Sequence, residues 1–315
     1  LTLKEKRKKT AESKQQKKQV KSKSANRLSP PQSQLNNLLE HYQSGSFGEA
    51  QKLALSITEQ FPTHPFGWKV MGAILGQTDR QSEAVSASLR AVELSPLDVE
   101  VHSNLGVMLK ELGRLDEAEA SYRKAVALKP DYFEAHNNLG ITLKELGKLD
   151  EAEASLRQAL ALKPDYAEAH YNLGNTLQEL GRLDEAEASY TRTIALKPDY
   201  AEAHINLGAT LYKMGRLKEA EKIYTEAVAL KPDYAKAHNN FGSTLIELGK
   251  LEEAEASYRK AITLKPDYAD AHSNLGITLD ELGRLEEAEA SYTQAIVLKP
   301  DYAEAHNSLL RCLYL

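Results

Sequence analysis

Close copies of one 34-residue stretch, Ala167 to Tyr200 (AEAHYNLGNTLQELGRLDEAEASYTRTIALKPDY), recur along most of this chain at a fixed spacing. The period is plainest at the joint Leu-Lys-Pro-Asp-Tyr. Its proline returns at Pro130, Pro164, Pro198, Pro232, Pro266 and Pro300, with weaker versions of the joint at Pro96 and Pro62. A repeat of this length excludes a single globular core, because each copy is one supersecondary unit that buries its apolar face only against its neighbours.

Within one copy, His170, Leu173, Leu177 and Leu180 fall at i, i+3, i+7 and i+10, one face of a helix. Asp165 with Glu168 three residues on reads as a capping box at the start, and Gly181 as the left-handed residue past the end. Asp184 and Glu187 repeat the starting signal. Leu183, Ala186, Tyr190 and Ile194 then make a second helical stripe, which Pro198 stops. Mid-helix, Gly174 costs about 1 kcal/mol relative to alanine. Its return at Gly106, Gly140, Gly208, Gly242 and Gly276 therefore implies the close approach of a neighbouring helix. The matching small surface is expected at Ala186 and its copies Ala84, Ala118, Ala152, Ala220, Ala254 and Ala288.

The combination of a bulky residue at position 4 of the copy, Leu at 7, Gly at 8, bulky at 11, Ala at 20, aromatic at 24, Ala at 27 and Pro at 32 resembles the tetratricopeptide repeat. Trp68, Gly72, Leu75, Ala84, Ala91 and Pro96 fit that pattern closely; most other copies place His where the family often has Trp. The copies run 31–64, 65–98, 99–132, 133–166, 167–200, 201–234, 235–268 and 269–302, with a partial one at 303–315. The first is degenerate, and the last decays at Ser308 and Leu310. The resemblance implies an all-α, right-handed α-solenoid superhelix of tandem helix-turn-helix units, eight helix pairs and one further helix, serving protein–protein recognition.

Repetition also sorts the positions away from the apolar stripe. Position 5 varies (Ser103, Asn137, Tyr171, Ile205, Asn239, Ser273), as does position 9 (Val107, Ile141, Asn175, Ala209, Ser243, Ile277). Position 6 is Asn104, Asn138, Asn172, Asn206, Asn240 and Asn274, an invariance that burial of apolar surface does not explain. A carboxamide both donates and accepts. One reading is a ladder that grips a peptide backbone along an inner groove, with positions 2, 5, 9 and 12 adding selectivity. It resembles the asparagine ladder of the superhelical repeats of O-linked N-acetylglucosamine transferase and the asparagine that grips peptide termini in chaperone-binding tetratricopeptide domains. The other reading is an amide bonded to a neighbouring helix.

Other chemistry is not indicated. His102, His136, His170, His204, His238, His272 and His306 recur once per copy. Equivalent residues on stacked helix pairs lie on the order of 10 Å apart, whereas metal ligands converge within about 2 Å of one point. These histidines are expected to pack, with a hydrogen bond to an adjacent helix, and to hold no metal. The periodic glutamates share one environment and lack the asymmetry that splits catalytic pKa values; solvated faces and helix caps are expected. No phosphate loop, paired-cysteine motif or nucleophile elbow is present, so no cofactor, no catalytic residue and no turnover by this chain are expected.

The first 30 residues differ in kind. They carry 11 Lys or Arg against 2 Glu, a net of +9; since the whole chain is at −5, the remaining 285 residues carry −14. With no aromatic residue and few apolar ones, 1–30 is expected to be a disordered basic tail. It is either a solvated linker or a contact for an acidic partner; nucleic-acid binding is disfavoured for want of a stacking platform. A lone Cys312 fits a reducing, cytoplasmic setting, and no apolar run approaches the ~18 residues of a membrane span. The function expected is a scaffold that holds extended peptide or partner-protein segments in a concave groove. The alternative is the substrate-recruiting region of a larger, glycosyltransferase-like enzyme whose catalytic domain follows Leu315.

Overall fold

The computed structural model describes residues 29–313. Apart from Ser29 and Pro30, the expected basic tail lies outside the described residues, as do the terminal Tyr314 and Leu315. Seventeen helices and no strand are present among the described residues, the number that eight pairs and one further helix require. None is long and apolar enough to cross a membrane.

Two compact units divide between Lys148 and Leu149. In the first, α1 (Gln32–Gln43) pairs with α2 (Phe47–Gln60), α3 (Pro65–Gln77) with α4 (Gln81–Leu94), and α5 (Val99–Glu111) with α6 (Leu115–Leu128); α7 (Phe133–Glu145) follows. The second opens with α8 (Leu149–Leu162). Its hairpins are α9 (Ala167–Glu179) with α10 (Leu183–Leu196), α11 (Ala201–Lys213) with α12 (Leu217–Leu230), α13 (Ala235–Glu247) with α14 (Leu251–Leu264), and α15 (Ala269–Glu281) with α16 (Leu285–Leu298). α17 (Ala303–Leu313) packs on the last of them. Within each unit a hairpin also stacks on the next, and in the second unit a core of Leu173, Leu177, Tyr190, Leu207, Leu211 and Tyr224 runs through successive hairpins.

The helix ends follow the glycine signal and depart from the aspartate one. Gly181 has φ +75°; its N–H donates to the Gln178 carbonyl and that of Arg182 to the Leu177 carbonyl, the two bonds of a Schellman cap. At the equivalent place in an earlier repeat, Asp79 is the one non-glycine residue among those described with positive φ, at +56°. Asp165 is not a cap. Lys163-Pro164-Asp165-Tyr166 is a β-turn closed by the Tyr166 N–H on the Lys163 carbonyl, and the N-cap is Tyr166, with no side-chain cap bond. The turn consumes the aspartate one residue too early. Where an Asp stands at the last position of a repeat, as Asp98 does, its Oδ1 accepts from the N–H groups of Glu100 and Val101. The lysine of each joint also lies over its tyrosine ring, 4.5 Å from the centroid for Lys299 on Tyr302 and 5.1 Å for Lys197 on Tyr200.

Asp184 is likewise not a cap. α10 begins at Leu183 after Arg182, whose Nε and Nη2 pair with the two oxygens of Glu185 at 2.7 Å. The glycine explanation is corrected in its partner. A Cβ on Gly174 would meet the Tyr190 ring at 2.6 Å, and Gly106, Gly208, Gly242 and Gly276 face Tyr122, Tyr224, Tyr258 and Tyr292 in the same way. The close approach therefore makes room for the aromatic ring at position 24, not for the Ala186 surface. All five rings are essentially fully buried.

Not all the glutamates are solvated caps. Those at position 21 tie each repeat to the next: Glu119 with Lys148 in the first unit, and Glu153 with Arg182, Glu187 with Arg216, Glu221 with Lys250 and Glu255 with Arg284 in the second. Glu119 is only 12% exposed in its side chain. The hydrogen bond from Lys148, with that from Arg123, holds its carboxyl below the ordinary carboxylate range against the opposing effect of burial. A carboxyl whose folded pKa is depressed contributes stability that is present above its unfolded pKa and lost as pH falls through the folded one. Thermal melts should accordingly fall as the pH drops below the ordinary carboxylate range, and Glu119→Gln should flatten that dependence; an identical pH profile in the variant would show that the pair contributes nothing.

Candidate functional site

First helices of successive repeats touch in both units: α1 with α3, α3 with α5 and α5 with α7, then α9 with α11, α11 with α13, α13 with α15 and α15 with α17. The faces they form carry the asparagines at one register position, Asn104 and Asn138 in the first unit and Asn172, Asn206, Asn240 and Asn274 in the second, all half-buried. Position 5, expected to add selectivity, is instead closed off. Ser103, Asn137, Ile205, Asn239 and Ser273 are all 7% exposed or less. Only Tyr171 is partly open. One residue further along, position 6 turns back towards solvent. Positions 9 are half-buried beside it throughout.

Most of the carboxamides are already engaged. Nδ2 of Asn206 donates to Asn175 Oδ1 at 2.9 Å and to the Tyr171 hydroxyl at 3.2 Å, both on the preceding first helix. It also lies within hydrogen-bonding reach of the buried Tyr190 hydroxyl, and Asn240 stands in the same relation to Tyr224. Nδ2 of Asn274 donates to Asn239 Oδ1 at 3.2 Å. Asn172 is engaged within the fold as well. Asn138 accepts from its neighbour Asn137 at 3.3 Å. Among the described residues, the side chain of Asn104 alone of the six has no partner. Asn206, Asn240 and Asn274 thus clamp one repeat to the next, whatever else they do.

The tyrosine hydroxyls explain part of this pattern. That of Tyr190 donates to Asn175 Oδ1 at 2.8 Å, and that of Tyr258 donates to Ser243 Oγ at 3.1 Å. Both acceptors are position 9 of the same repeat. Where position 9 is Val107 there is no acceptor, and the buried hydroxyl of Tyr122 is left without a hydrogen bond. Burial pushes the Tyr122 phenol well above the usual tyrosine range. A polar atom buried unpaired costs about 1–3 kcal/mol, while a paired one contributes about 1. Tyr122→Phe should therefore be neutral or stabilising and Tyr190→Phe destabilising by about 1 kcal/mol; equal effects in denaturant melts would refute the assignment. The sequence marks position 24 as an aromatic packing residue, and only the contrast among position 9 residues hints at the hydroxyl.

Six of the first-helix imidazoles substitute for an indole. Trp68 Nε1 donates to the Pro62 carbonyl at 3.0 Å, and the Nε2 atoms of His102, His136, His170, His238, His272 and His306 lie 2.9–3.0 Å from the proline carbonyl six residues back. Since a carbonyl only accepts, Nε2 carries the proton. The expected hydrogen bond exists, but to the preceding turn and not to an adjacent helix. His204 departs: its Nδ1 faces the Tyr200 carbonyl at 3.1 Å and its Nε2 lies 3.7 Å from Glu226. No three His, Cys, Asp or Glu side chains gather to hold a metal among the described residues.

Hollows lie between second helices in the second unit and on the first-helix face of the first. Between successive second helices, clefts of about 440 and 410 Å³ recur at the same register. One is lined by Arg157, His170, Leu173 and Arg192, the other by Arg259, His272, Leu275 and Gln294. Their recurrence marks them as gaps that the stacking geometry leaves. On the first-helix face a smaller hollow of about 130 Å³ lies among α1, α3 and α5, beside Asn104.

Family models described as TPR repeat match residues 108–147, 142–181 and 242–280. Others, described as tetratricopeptide repeat, match 165–233, 269–302, 87–120 and 223–256, so that 87–302 is spanned without a gap. No curated protein sequence matches the chain. Among solved structures it is similar to YrrB, described as a TPR protein with an unusual peptide-binding site, at 26% identity and a TM-score of 0.53 over 62% of this chain and 98% of that one. The APC/C hetero-tetramer Cut9-Hcn1 shares the fold at 17% identity and a TM-score of 0.63, over 85% of this chain and 52% of that one. Pseudomonas aeruginosa pilF does so at 19% and 0.61, over 68% and 97%. With those matches and the helix-turn-helix units described above, the chain belongs to the tetratricopeptide repeat family.

Proposed function

We propose that this chain is a non-catalytic protein-interaction scaffold that holds an extended segment of a partner along its first-helix face. The observation that carries the reading is the composition of that face. Half-exposed carboxamides recur at Asn104, Asn138, Asn172, Asn206, Asn240 and Asn274, while position 9 beside them changes from Val107 to Asn175, Ser243 and Ile277. Constant groups suit a peptide backbone, which is the same in every partner, and changing groups suit its side chains. The clamping already described takes up donors of Asn206 and Asn274, so such a backbone is met chiefly by their oxygens, as acceptors of its N–H groups. The similarity to YrrB, with its peptide-binding site, points the same way.

Peptides selected on the full chain from a random heptapeptide display library test this. Benzoylphenylalanine placed at Ile141, Ala209 or Ile277, on the first-helix side, should crosslink to them; the same group at Lys124, Arg192 or Gln294, on the second helices, should not. Crosslinks confined to the second-helix positions, or no peptide recovered, overturn the reading.

A further inference from the structure

The hollow beside Asn104 exists because repeat 65–98 departs from its copies at two places. Position 24, a tyrosine in five later repeats, is Ser88, and position 12, elsewhere Lys110, Gln178, Tyr212 or Ile246, is Gly76. The missing ring is replaced in part by Met108, which stands where later repeats have threonine and whose sulfur accepts the Ser88 hydroxyl at 3.1 Å. A Cβ on Gly76 would lie 3.5 Å from the Met108 methyl and 4.0 Å from Gln81 Oε1. That oxygen is buried and accepts no hydrogen bond.

The lining combines the apolar surface of Tyr42, Ala73, Val107 and Met108 with the oxygen-bearing groups of Asn104, Gln77 and Glu111. Asn104 is the carboxamide with no partner, and Glu111 has no cationic partner among the described residues. The nearby Lys110 is committed to Glu145 at 3.2 Å. The one formal charge on the rim is therefore negative. The volume, about 130 Å³, equals about four waters at ~30 Å³ each, the scale of the outer part of one long side chain.

We propose that this hollow is a side-chain pocket for a lysine of an extended partner segment, a proposal that rests on the peptide-holding reading above. The methylene stem lies against Tyr42, Val107 and Met108 in the way long basic side chains cover apolar surface. Its ammonium has three donors and no acceptor, matching the Glu111 carboxylate and the Asn104 and Gln77 carbonyl oxygens. Arginine spreads the same charge over a longer, planar fork, whereas the ammonium concentrates it at one point beside Glu111.

The heptapeptide library, selected on the full chain at low and high salt, tests it. Lysine at one peptide position should be enriched about tenfold over input, and over arginine, as a charge-assisted hydrogen bond implies. Gly76→Leu fills the hollow from a helical position without a backbone clash and should abolish the enrichment. Glu111→Gln should reduce it about tenfold and remove its salt dependence, and Glu111→Lys should replace it with a preference for acidic residues. Thermal melts should show all three variants folded. Selected peptides that crosslink on the first-helix side but carry no lysine preference, or a preference that survives Gly76→Leu, overturn the pocket and leave peptide holding intact. Crosslinks confined to the second-helix side, or no peptide at all, overturn both.

Discussion

Replacing Gly174 by alanine should destabilise the second unit by about 1–3 kcal/mol, the cost of forcing a side chain into a packed core. Helix propensity alone gives the opposite sign, a gain of about 1 kcal/mol. Packing wins because the added Cβ would stand 2.6 Å from a ring carbon of Tyr190, a residue with no exposed surface to retreat into. Tyr190→Ala should cost more, about 3–5 kcal/mol, through the cavity it leaves and the hydroxyl bond to Asn175 it removes. In Tyr190→Ala the glycine should become replaceable: the double variant should be no less stable than Tyr190→Ala alone, since the two residues interact directly. Chemical denaturation followed by circular dichroism measures all three. A Gly174→Ala chain as stable as the parent would show that the ring yields.

The asparagines should divide under the same measurement. Asn206→Ala should lower stability by about 1–3 kcal/mol, because it strips a donor from Asn175, from Tyr171 and from the neighbourhood of the Tyr190 hydroxyl. Asn104→Ala should change it by no more than about 0.5 kcal/mol, as for a surface position with no partner. On the proposed reading it should nevertheless weaken peptide binding about tenfold, the loss of one hydrogen bond to a charged group. Equal stability losses in the two variants, with binding untouched by Asn104→Ala, would reduce the row to a structural seam.

The helices and their pairing were legible because period and punctuation agree: glycine past the first helix, proline past the second, apolar residues at helical spacing between. What sequence reasoning misplaced were details in which two residues compete for one role. Asp165 carries a capping side chain but is taken up as a turn residue, so the chain enters α9 through Tyr166. Gly174 signals a close approach without naming what approaches, and the ring of Tyr190 and the surface of Ala186 lie on the same helix face. Position 5 looked like a variable outer position because variation was read as exposure. Buried positions also vary: Asn239 accepts a hydrogen bond from Asn274, while Ile205 at the same repeat position packs into the apolar core. The candidate site was visible as an invariance at position 6, but its division into clamps and a free member was not, since it depends on which acceptor the preceding repeat happens to offer. The hollow beside Asn104 was written in two departures from the repeat, Ser88 and Gly76, whose meaning needs the neighbouring helices in place.

Near-identity among the repeats carries a consequence for any strand laid across them. Rungs of one residue type, spaced on the order of 10 Å apart, define the starting point of a bound strand only weakly, so a strand gripped by them alone slips by one rung at little change in energy. A single irregular notch ends that degeneracy, and the copy emptied at positions 12 and 24, 65–98, is the one fitted to set the frame for its neighbours.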